Sequence, residues 1–121
     1  VYNASSGGIA CGILEAGHLR EYACDKTGER LTMHPQGAIF KDIKLVGYDK
    51  CCELVRKLAN RMCSASQLLS WDFAIDPQGD PVLIEVNLTF GGVTIHQMCN
   101  GPIFGELTET LLSEVYHSNS K

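Results

Sequence analysis

The sequence predicts an α+β domain with an antiparallel sheet and helices packed on one face. Two features indicate this class: pairs of short apolar runs joined by glycine-containing turns, and two longer segments with apolar residues at helical spacing. A chain of 121 residues is long enough for one such domain. Because the chain starts at Val1 rather than at a methionine, we expect residues 1–121 to be a single domain cut from a longer polypeptide.

Three short strands are predicted in the first third of the chain, at Ile9–Leu14, Leu19–Cys24 and Leu31–Met33. The first two form a hairpin around a turn at Glu15–Gly17, and a second turn at Asp25–Glu29 leads into the third. The sequence HPQG at 34–37 interrupts regular structure, so the chain from there to Gly47 is expected to be mostly loop.

Two helices are predicted, at Asp49–Met62 and Phe104–Tyr116. In the first, apolar side chains form a stripe at helical spacing, and charged or amide side chains occupy the other side. The stripe consists of Cys51, Val55, Leu58 and Met62, flanked by Cys52, Ala59 and Cys63. Asp49 is expected to cap the N-terminus. The chain between the glycine-rich Phe90–Gly92 and Pro102 is ambiguous.

A second hairpin is predicted between these helices, with strands at Gln67–Asp76 and Pro81–Asn87. A four-residue turn at 77–80 would pair Asp76 with Pro81. Since strand side chains alternate between the two faces, one face is then apolar at every position. Its members are Trp71, Phe73, Ile75, Val82, Ile84 and Val86. Burial of this face is expected to fix the register.

On the opposite face, the predicted register places Asp72 directly opposite Glu85 and Ser70 opposite Asn87. Like charges in this position are destabilising, so either one carboxylate keeps its proton or a cation bridges the two. Asn87 adds a neutral oxygen ligand, and such a set suits Mg²⁺ or Mn²⁺ with water and substrate phosphate completing the coordination. The alternative is a solvated polar face, but such faces usually mix charges, whereas this one carries no Lys or Arg.

Composition and charge exclude several classes of protein. Ten Lys+Arg against fourteen Asp+Glu, without a basic cluster, do not suit a nucleic-acid-binding protein. No apolar run approaches the roughly 18 residues of a membrane span, and no segment is typical of a signal peptide. The six cysteines include no C-x-x-C and the four histidines no H-x-x-x-H, which argues against a zinc site. We therefore expect reduced, mostly buried thiols in a cytoplasmic protein, with a disulfide-stabilised secreted domain as the alternative.

Asp72, Glu85 thirteen residues later and Asn87 resemble the D-x(12)-E-x-N signature of the ATP-grasp superfamily. Four segments extend this likeness to the sugar-transfer-associated ATP-grasp family, which is linked to polysaccharide biosynthesis. They are NASSGGI at 3–9, HPQG at 34–37, WDFA at 71–74 and LIEVN at 83–87. The resemblance spans the chain from Asn3 to about Leu112.

The resemblance implies the C-terminal subdomain of an ATP-grasp fold, in which two α+β subdomains hold ATP between them. It implies that Asp72, Glu85 and Asn87 bind Mg²⁺ or Mn²⁺ at the β- and γ-phosphates of ATP, with Glu85 bridging the metals. An apolar floor under the base would consist of Ala74, Leu83 and Ile84. The expected reaction is that of an ATP-dependent ligase, which phosphorylates a carboxylate to an acyl phosphate that a nucleophile then attacks.

Two parts of the family's pattern differ here. Many ATP-grasp ligases carry an arginine two residues before the first acidic ligand, and this position is Ser70. The alternatives for this positive charge are Lys41, Lys44, Arg20 and His34, and the sequence does not choose among them. The lysine-bearing nucleotide lid is expected in a missing N-terminal part, so the chain alone should bind ATP weakly.

These features define the expected partners and one competing function. The partners are a nucleotide, a carboxylate or sugar-pathway substrate, and the missing N-terminal part of the same polypeptide. The competing function is a non-catalytic binding or scaffold module that retained the ATP-grasp fold, because the position of the family's arginine is Ser70.

Overall fold

The structure is a computed structural model that describes residues 7–62, 68–89 and 92–118. Within these ranges it contains two antiparallel sheets and three α-helices, which confirms the predicted α+β class. The elements in chain order are β1 Ala10–Ile13, β2 Leu19–Cys24, β3 Arg30–Leu31, α1 Tyr48–Met62, β4 Ser70–Ile75, β5 Pro81–Asn87, α2 Thr94–Asn100 and α3 Thr108–Ser118. None of the described helices combines the length and the apolar character that crossing a membrane requires.

The first sheet has the strand order β1–β2–β3. The predicted hairpin is confirmed, and a short 3-10 helix at Glu15–Gly17 joins its strands. The third strand is shorter than predicted and begins earlier, at Arg30. Met33 makes only an isolated bridge to Ile39, because the chain turns back between these two residues.

The buried core of the described residues lies around this sheet. Its apolar members are Ala23, Cys24, Phe40 and Cys99, each at most 5% exposed. The five described cysteines are free thiols, as predicted, but only Cys24 and Cys99 are buried, and Cys63 lies outside the described residues. Burial raises the pKa of the Cys11 and Cys99 thiols.

Helix α2 covers part of the same sheet and was not predicted from the sequence. Its C-terminal half is attached to the sheet by hydrogen bonds from Cys99 Sγ to the Ala10 carbonyl (3.2 Å) and from Arg20 Nε to Asn100 Oδ1 (3.1 Å). Gly12 allows this close approach, since a Cβ at that position would overlap Asn100 Oδ1. With only seven residues, the helix depends on these contacts rather than on its own propensity.

Helix α1 has the predicted amphipathic pattern. The described residues of the predicted stripe are half-buried, and the charged and amide residues of the other side are exposed. The helix begins at Tyr48, so Asp49 lies in its first turn and does not cap it. The Gly47 carbonyl instead accepts a hydrogen bond from the Cys51 N–H (3.1 Å). An acidic side chain in this position still interacts favourably with the helix dipole.

Strands β4 and β5 form a separate two-stranded sheet, which is the second predicted hairpin. Strand β4 begins at Ser70, and Gln67 lies outside the described residues. The N-terminus of α1 contacts the tip of this hairpin. The contact is so close that a Cβ on Gly47 would overlap the Gly79 carbonyl. Lys50 and Asp80 form an ion pair at the same contact.

Helix α3 begins at Thr108 rather than at Phe104 as predicted. A 3-10 helix at Gly105–Leu107 precedes it, and Gly105 has a positive φ of 48°, which ends any α-helix that would start earlier. The Thr108 hydroxyl donates a hydrogen bond to the Gly105 carbonyl (2.7 Å) across this boundary. Several apolar side chains of this region are more than 35% exposed, including Phe104, Leu107 and Leu112.

Candidate functional site

The hairpin of β4 and β5 brings the predicted ligand residues together. Asp72 lies directly opposite Glu85, and Ser70 lies directly opposite Asn87. Directly opposite residues on neighbouring antiparallel strands point to the same face, so all four side chains share one face. The predicted alignment of these residues is therefore confirmed, while their role as metal ligands stays a prediction.

The alignment arises from a different hairpin geometry than predicted. Ile75, not Asp76, pairs with Pro81, so the connecting loop has five residues, Asp76–Asp80. Without any irregularity, pairing Ile75 with Pro81 would shift the register by one residue along the whole strand, and Asp72 would no longer lie opposite Glu85. A β-bulge in β5 at Ile84 adds one residue and restores the alignment of Asp72 with Glu85.

The bulge also corrects the predicted composition of the two faces. Leu83 pairs with Phe73 and therefore joins the aromatic face, whereas Val82 pairs with Ala74 on the carboxylate face. Ile84 is the unpaired bulge residue and is 58% exposed. The prediction that Val82 and Ile84 belong to a continuous apolar face is wrong, because it assumed an unbroken alternation.

A network of hydrogen bonds fixes the five-residue loop. Asp76 Oδ1 accepts hydrogen bonds from the backbone N–H groups of Gln78 (2.9 Å) and Asp80 (2.8 Å). The Asp76 N–H donates to the Asp80 carbonyl (3.0 Å), and the Gly79 N–H donates to the Asp76 carbonyl (2.9 Å). The Asp80 carboxylate is bound by Lys50 Nζ of α1 (2.5 Å), and this contact raises the pKa of Lys50. The ends of both strands are thus held in place.

The carboxylate face has the charge and exposure of a cation-binding surface. Asp72 and Glu85 are both exposed, and the ion pairs found in the described part of the chain involve neither of them. The described ranges contain no group of three or more His, Cys, Asp or Glu side chains arranged for a metal ion. Two carboxylates and the Asn87 amide oxygen are a partial set of hard oxygen ligands, which fits Mg²⁺ only if water or phosphate oxygens complete it.

The three residues expected under the nucleotide base do not share one face. Ala74 lies on the carboxylate face next to Asp72, Leu83 lies on the aromatic face, and Ile84 is the bulge. All three are exposed. Their contact with the base stays a prediction, and the positions favour Ala74, with Val82 opposite it, as the apolar part of the face that carries the carboxylates.

The four alternatives for the missing positive charge lie in or beside the first sheet. Arg20 is bound to Asn100, and the His34 ring contacts Phe40 edge-on while its Nδ1 accepts a hydrogen bond from the Gln36 N–H. Lys41 lies in the 3-10 helix at residues 40–42, and Lys44 forms an isolated bridge with His18. None of the four lines the cavities of about 500 and 230 Å³ that described residues form beside β4.

A cavity of about 230 Å³ lies beside Asp72. Hairpin residues, including Ser70 and Asp72, line one side, and Val93 and His96, which lie just before and within α2, line the other. Sequence reasoning missed His96 because it left α2 unassigned. A usable signal was present, since Ile95, Met98 and Cys99 have the i, i+3, i+4 spacing of a helix face.

A larger cavity of about 500 Å³ lies on the aromatic face. Trp71 and Phe73 line it from β4, with their rings stacked at 6.4 Å between centroids, and Tyr48, Cys51 and Cys52 line it from α1. Burial raises the pKa of Cys51, and a hydrogen bond with Cys52 raises that of Tyr48. This cavity lies between helix and sheet, on the side of the hairpin away from the carboxylates.

Comparison with known proteins identifies the family of the chain. No match was found among curated proteins or among solved structures. The family model described as sugar-transfer associated ATP-grasp matches residues 1–111, which include both sheets, α1, α2 and the carboxylate face. The chain therefore belongs to the sugar-transfer associated ATP-grasp family.

Proposed function

We propose that this chain is the C-terminal part of an ATP-grasp ligase-type enzyme and supplies the metal-binding face of its active site. The observation that carries the proposal is the direct alignment of Asp72 with Glu85 on an exposed face that also presents Asn87. Two carboxylates held side by side cost stability, so a face of this kind is best explained by a bound cation. Membership of the family supports ATP as the nucleotide.

The side chains divide the task in a simple way. Asp72 and Glu85 would hold Mg²⁺ or Mn²⁺ with their carboxylate oxygens, and Asn87 would add its amide oxygen. When bound, the metal would neutralise the phosphate oxygens of ATP and so favour phosphoryl transfer. The protein's own contribution is positioning: the bulge aligns the carboxylates, and the loop bound to Lys50 keeps the two strands in register.

The proposed reaction is ATP-dependent activation of a carboxylate as an acyl phosphate, in polysaccharide or cell-envelope biosynthesis. The family's association with sugar transfer supports this pathway. The competing function, a scaffold that retained the fold, is favoured by one observation: Ser70 stands where many ATP-grasp ligases have an arginine. The two functions differ in whether the full-length protein binds and consumes ATP.

The test is calorimetric titration of Mg·ATP into the full-length protein, together with a measurement of ATP turnover. Asp72→Asn and Glu85→Gln should each abolish turnover, because each removes a charged ligand without changing side-chain size. Glu109→Gln is the matched control, since it alters an exposed carboxylate of α3 that lies outside the hairpin. Wild-type turnover in both ligand variants would refute the metal assignment, and no ATP binding by the full-length protein would favour the scaffold.

A further inference from the structure

The cavity beside Asp72 joins the carboxylate face to the N-terminal half of α2. Its floor includes Ser70 and Asp72 of β4, and its opposite wall includes Val93 and His96. Among the described residues that line it, His96 is the single side chain able to carry a positive charge. We name it the Asp72–His96 cavity.

The position of His96 is determined by contacts that the histidine itself does not make. Met98, Cys99 and Asn100 at the other end of α2 are bound to the first sheet, with hydrogen bonds of 3.7, 3.2 and 3.1 Å. These contacts attach the helix to the most buried part of the molecule. His96 is exposed, so its imidazole is available to a ligand in the cavity.

The lining indicates the chemistry of that ligand. Leu68, Val93 and Ile103 supply apolar walls, while Asp72, Ser70 and His96 are polar. A volume of about 230 Å³ that is open to solvent has room for a small organic group. An anion placed next to Asp72 needs a compensating donor, and His96 is the side chain positioned to be one.

We propose that the Asp72–His96 cavity binds the carboxylate end of the acceptor and that His96 holds this carboxylate next to the ATP phosphates. The acceptor class is a carboxylate carried on a short apolar stem. The inference rests on the proposed function, since it assumes that Asp72 faces a metal-bound nucleotide. It adds a residue and a cavity that the resemblance to the family did not supply.

The step that follows from this placement is balanced without a further reactant. One carboxylate oxygen of the acceptor forms a bond to the γ-phosphorus, and the bond from that phosphorus to the β,γ-bridging oxygen breaks. ADP leaves with the electron pair. An imidazole N–H of His96 donates a hydrogen bond to the other carboxylate oxygen and orients the acceptor, while the apolar walls limit its size.

The test uses the full-length protein with ¹³C-labelled histidine side chains, whose signals are assigned by substituting each histidine in turn. With Mn·ADP, paramagnetic broadening falls steeply with distance, so the His96 signal should broaden more than those of His18 and His117. Acetate is then titrated as the simplest carboxylate, with Mg·ADP and without nucleotide. We expect a saturable shift of the His96 signal.

Three variants and one matched control make this shift specific. His96→Ala should weaken acetate binding, measured by calorimetry, about tenfold, as expected for loss of one hydrogen bond to a charged group. His96→Gln retains an N–H donor and should recover most of the affinity. Val93→Phe reduces the cavity and should weaken acetate binding while leaving the Mn·ADP effect in place. His18→Gln is the matched control and should change neither.

Each outcome separates this inference from the proposed function. Broadening of His96 by Mn·ADP without a saturable acetate shift would overturn the acceptor cavity and leave the metal face standing. An acetate shift without any Mn·ADP binding would support a carboxylate-binding cavity and would overturn the placement of a nucleotide beside it. Equal acetate affinity in the wild type and in His96→Ala would overturn the role of His96.

Discussion

The two sheets of this molecule are both antiparallel, but they differ in how deeply their residues are buried. The first sheet contains or contacts all four of the buried apolar side chains in the described residues, including Cys24 and Phe40. The hairpin of β4 and β5 has no fully buried residue in either strand, and one of its faces presents Asp72 and Glu85 to solvent. Stability therefore resides mainly in the first sheet, and the hairpin keeps a face free for a ligand.

Helix α2 connects these two regions. Its C-terminal half is attached to the first sheet, and its N-terminal half borders the cavity at Asp72. A helix that is attached to a core at one end limits where the residues at its other end can lie. The comparison thus explains how a well-packed sheet orients a site on a poorly packed one.

The largest expected effect on stability is the loss of the buried phenylalanine ring beside the first sheet, compared with the loss of a phenylalanine ring from the hairpin. Phe40→Ala should reduce the free energy of unfolding by about 3–5 kcal/mol, because a buried aromatic ring leaves a cavity. Phe73→Ala should cost about 1–2 kcal/mol, since the Phe73 ring is half-buried and already borders a cavity. Urea denaturation of both variants measures the difference. Equal losses would show that the hairpin is packed as tightly as the first sheet.

A smaller effect concerns the loop of each sheet. Asp25–Glu29 and Asp76–Asp80 share one geometry: an aspartate Oδ1 accepts hydrogen bonds from backbone N–H groups two and four residues later. Only in the first does a hydroxyl, that of Thr27, donate as well (2.7 Å). This hydrogen bond, followed by backbone hydrogen bonds, lowers the pKa of Asp25.

The consequence is a pH-dependent contribution to stability from Asp25. A carboxylate whose folded pKa is lowered stabilises the protein above its unfolded pKa of about 3.9, and this contribution is lost as the pH falls through the folded pKa. Thr27→Val should raise the pKa of Asp25 and lower stability at neutral pH, and the difference should disappear in acid. Urea denaturation midpoints over a pH series measure this difference in stability. Gln78→Val is the matched variant, since Gln78 occupies the corresponding position in the other loop. A pH-independent difference would assign the loss to packing.

The smallest expected effect has the opposite sign. Asp72→Asn and Glu85→Gln should each increase the free energy of unfolding by about 0.2–1 kcal/mol in the absence of divalent cations, because each removes repulsion between opposed charges. The gain should shrink in high salt. Asp80→Asn loses an ion pair and should give no gain. Thermal unfolding at low and high salt measures all three, and a loss in both ligand variants would contradict repulsion at this face.

The sequence was sufficient to predict the elements whose patterns are long and regular. The stripe of α1 and the strands of both hairpins follow from spacing alone, because each pattern has several repeats. Helix α2 has only seven residues and is held by hydrogen bonds to residues more than 70 positions away, such as that from Cys24 Sγ to the Met98 carbonyl. The spacing of Ile95, Met98 and Cys99 indicates a helix, but no local pattern indicates these distant contacts, so the cavity with His96 was not predicted.

The pairing of β4 with β5 shows a different limit to what can be predicted from the sequence. Asp72 opposite Glu85 was predicted correctly from an incorrect loop, because the five-residue loop and the bulge at Ile84 offset each other. The run Val82-Leu83-Ile84 is uniformly apolar, so no alternation in the sequence reveals which residue is the additional one. The predicted register rested on the length of the loop and on burial of the apolar face, and neither indicates where an additional residue lies.

The bulge at Ile84 has a consequence for how this hairpin can vary. In an unbroken ladder, inserting one residue into the loop would move Glu85 to the face away from Asp72. Here the alignment of the carboxylates is set on one side of an irregular position and the length of the loop on the other. A change of one residue in the loop can therefore be offset locally by gain or loss of the bulge. Loop length becomes a property that evolution or an engineer can adjust without dismantling the carboxylate pair.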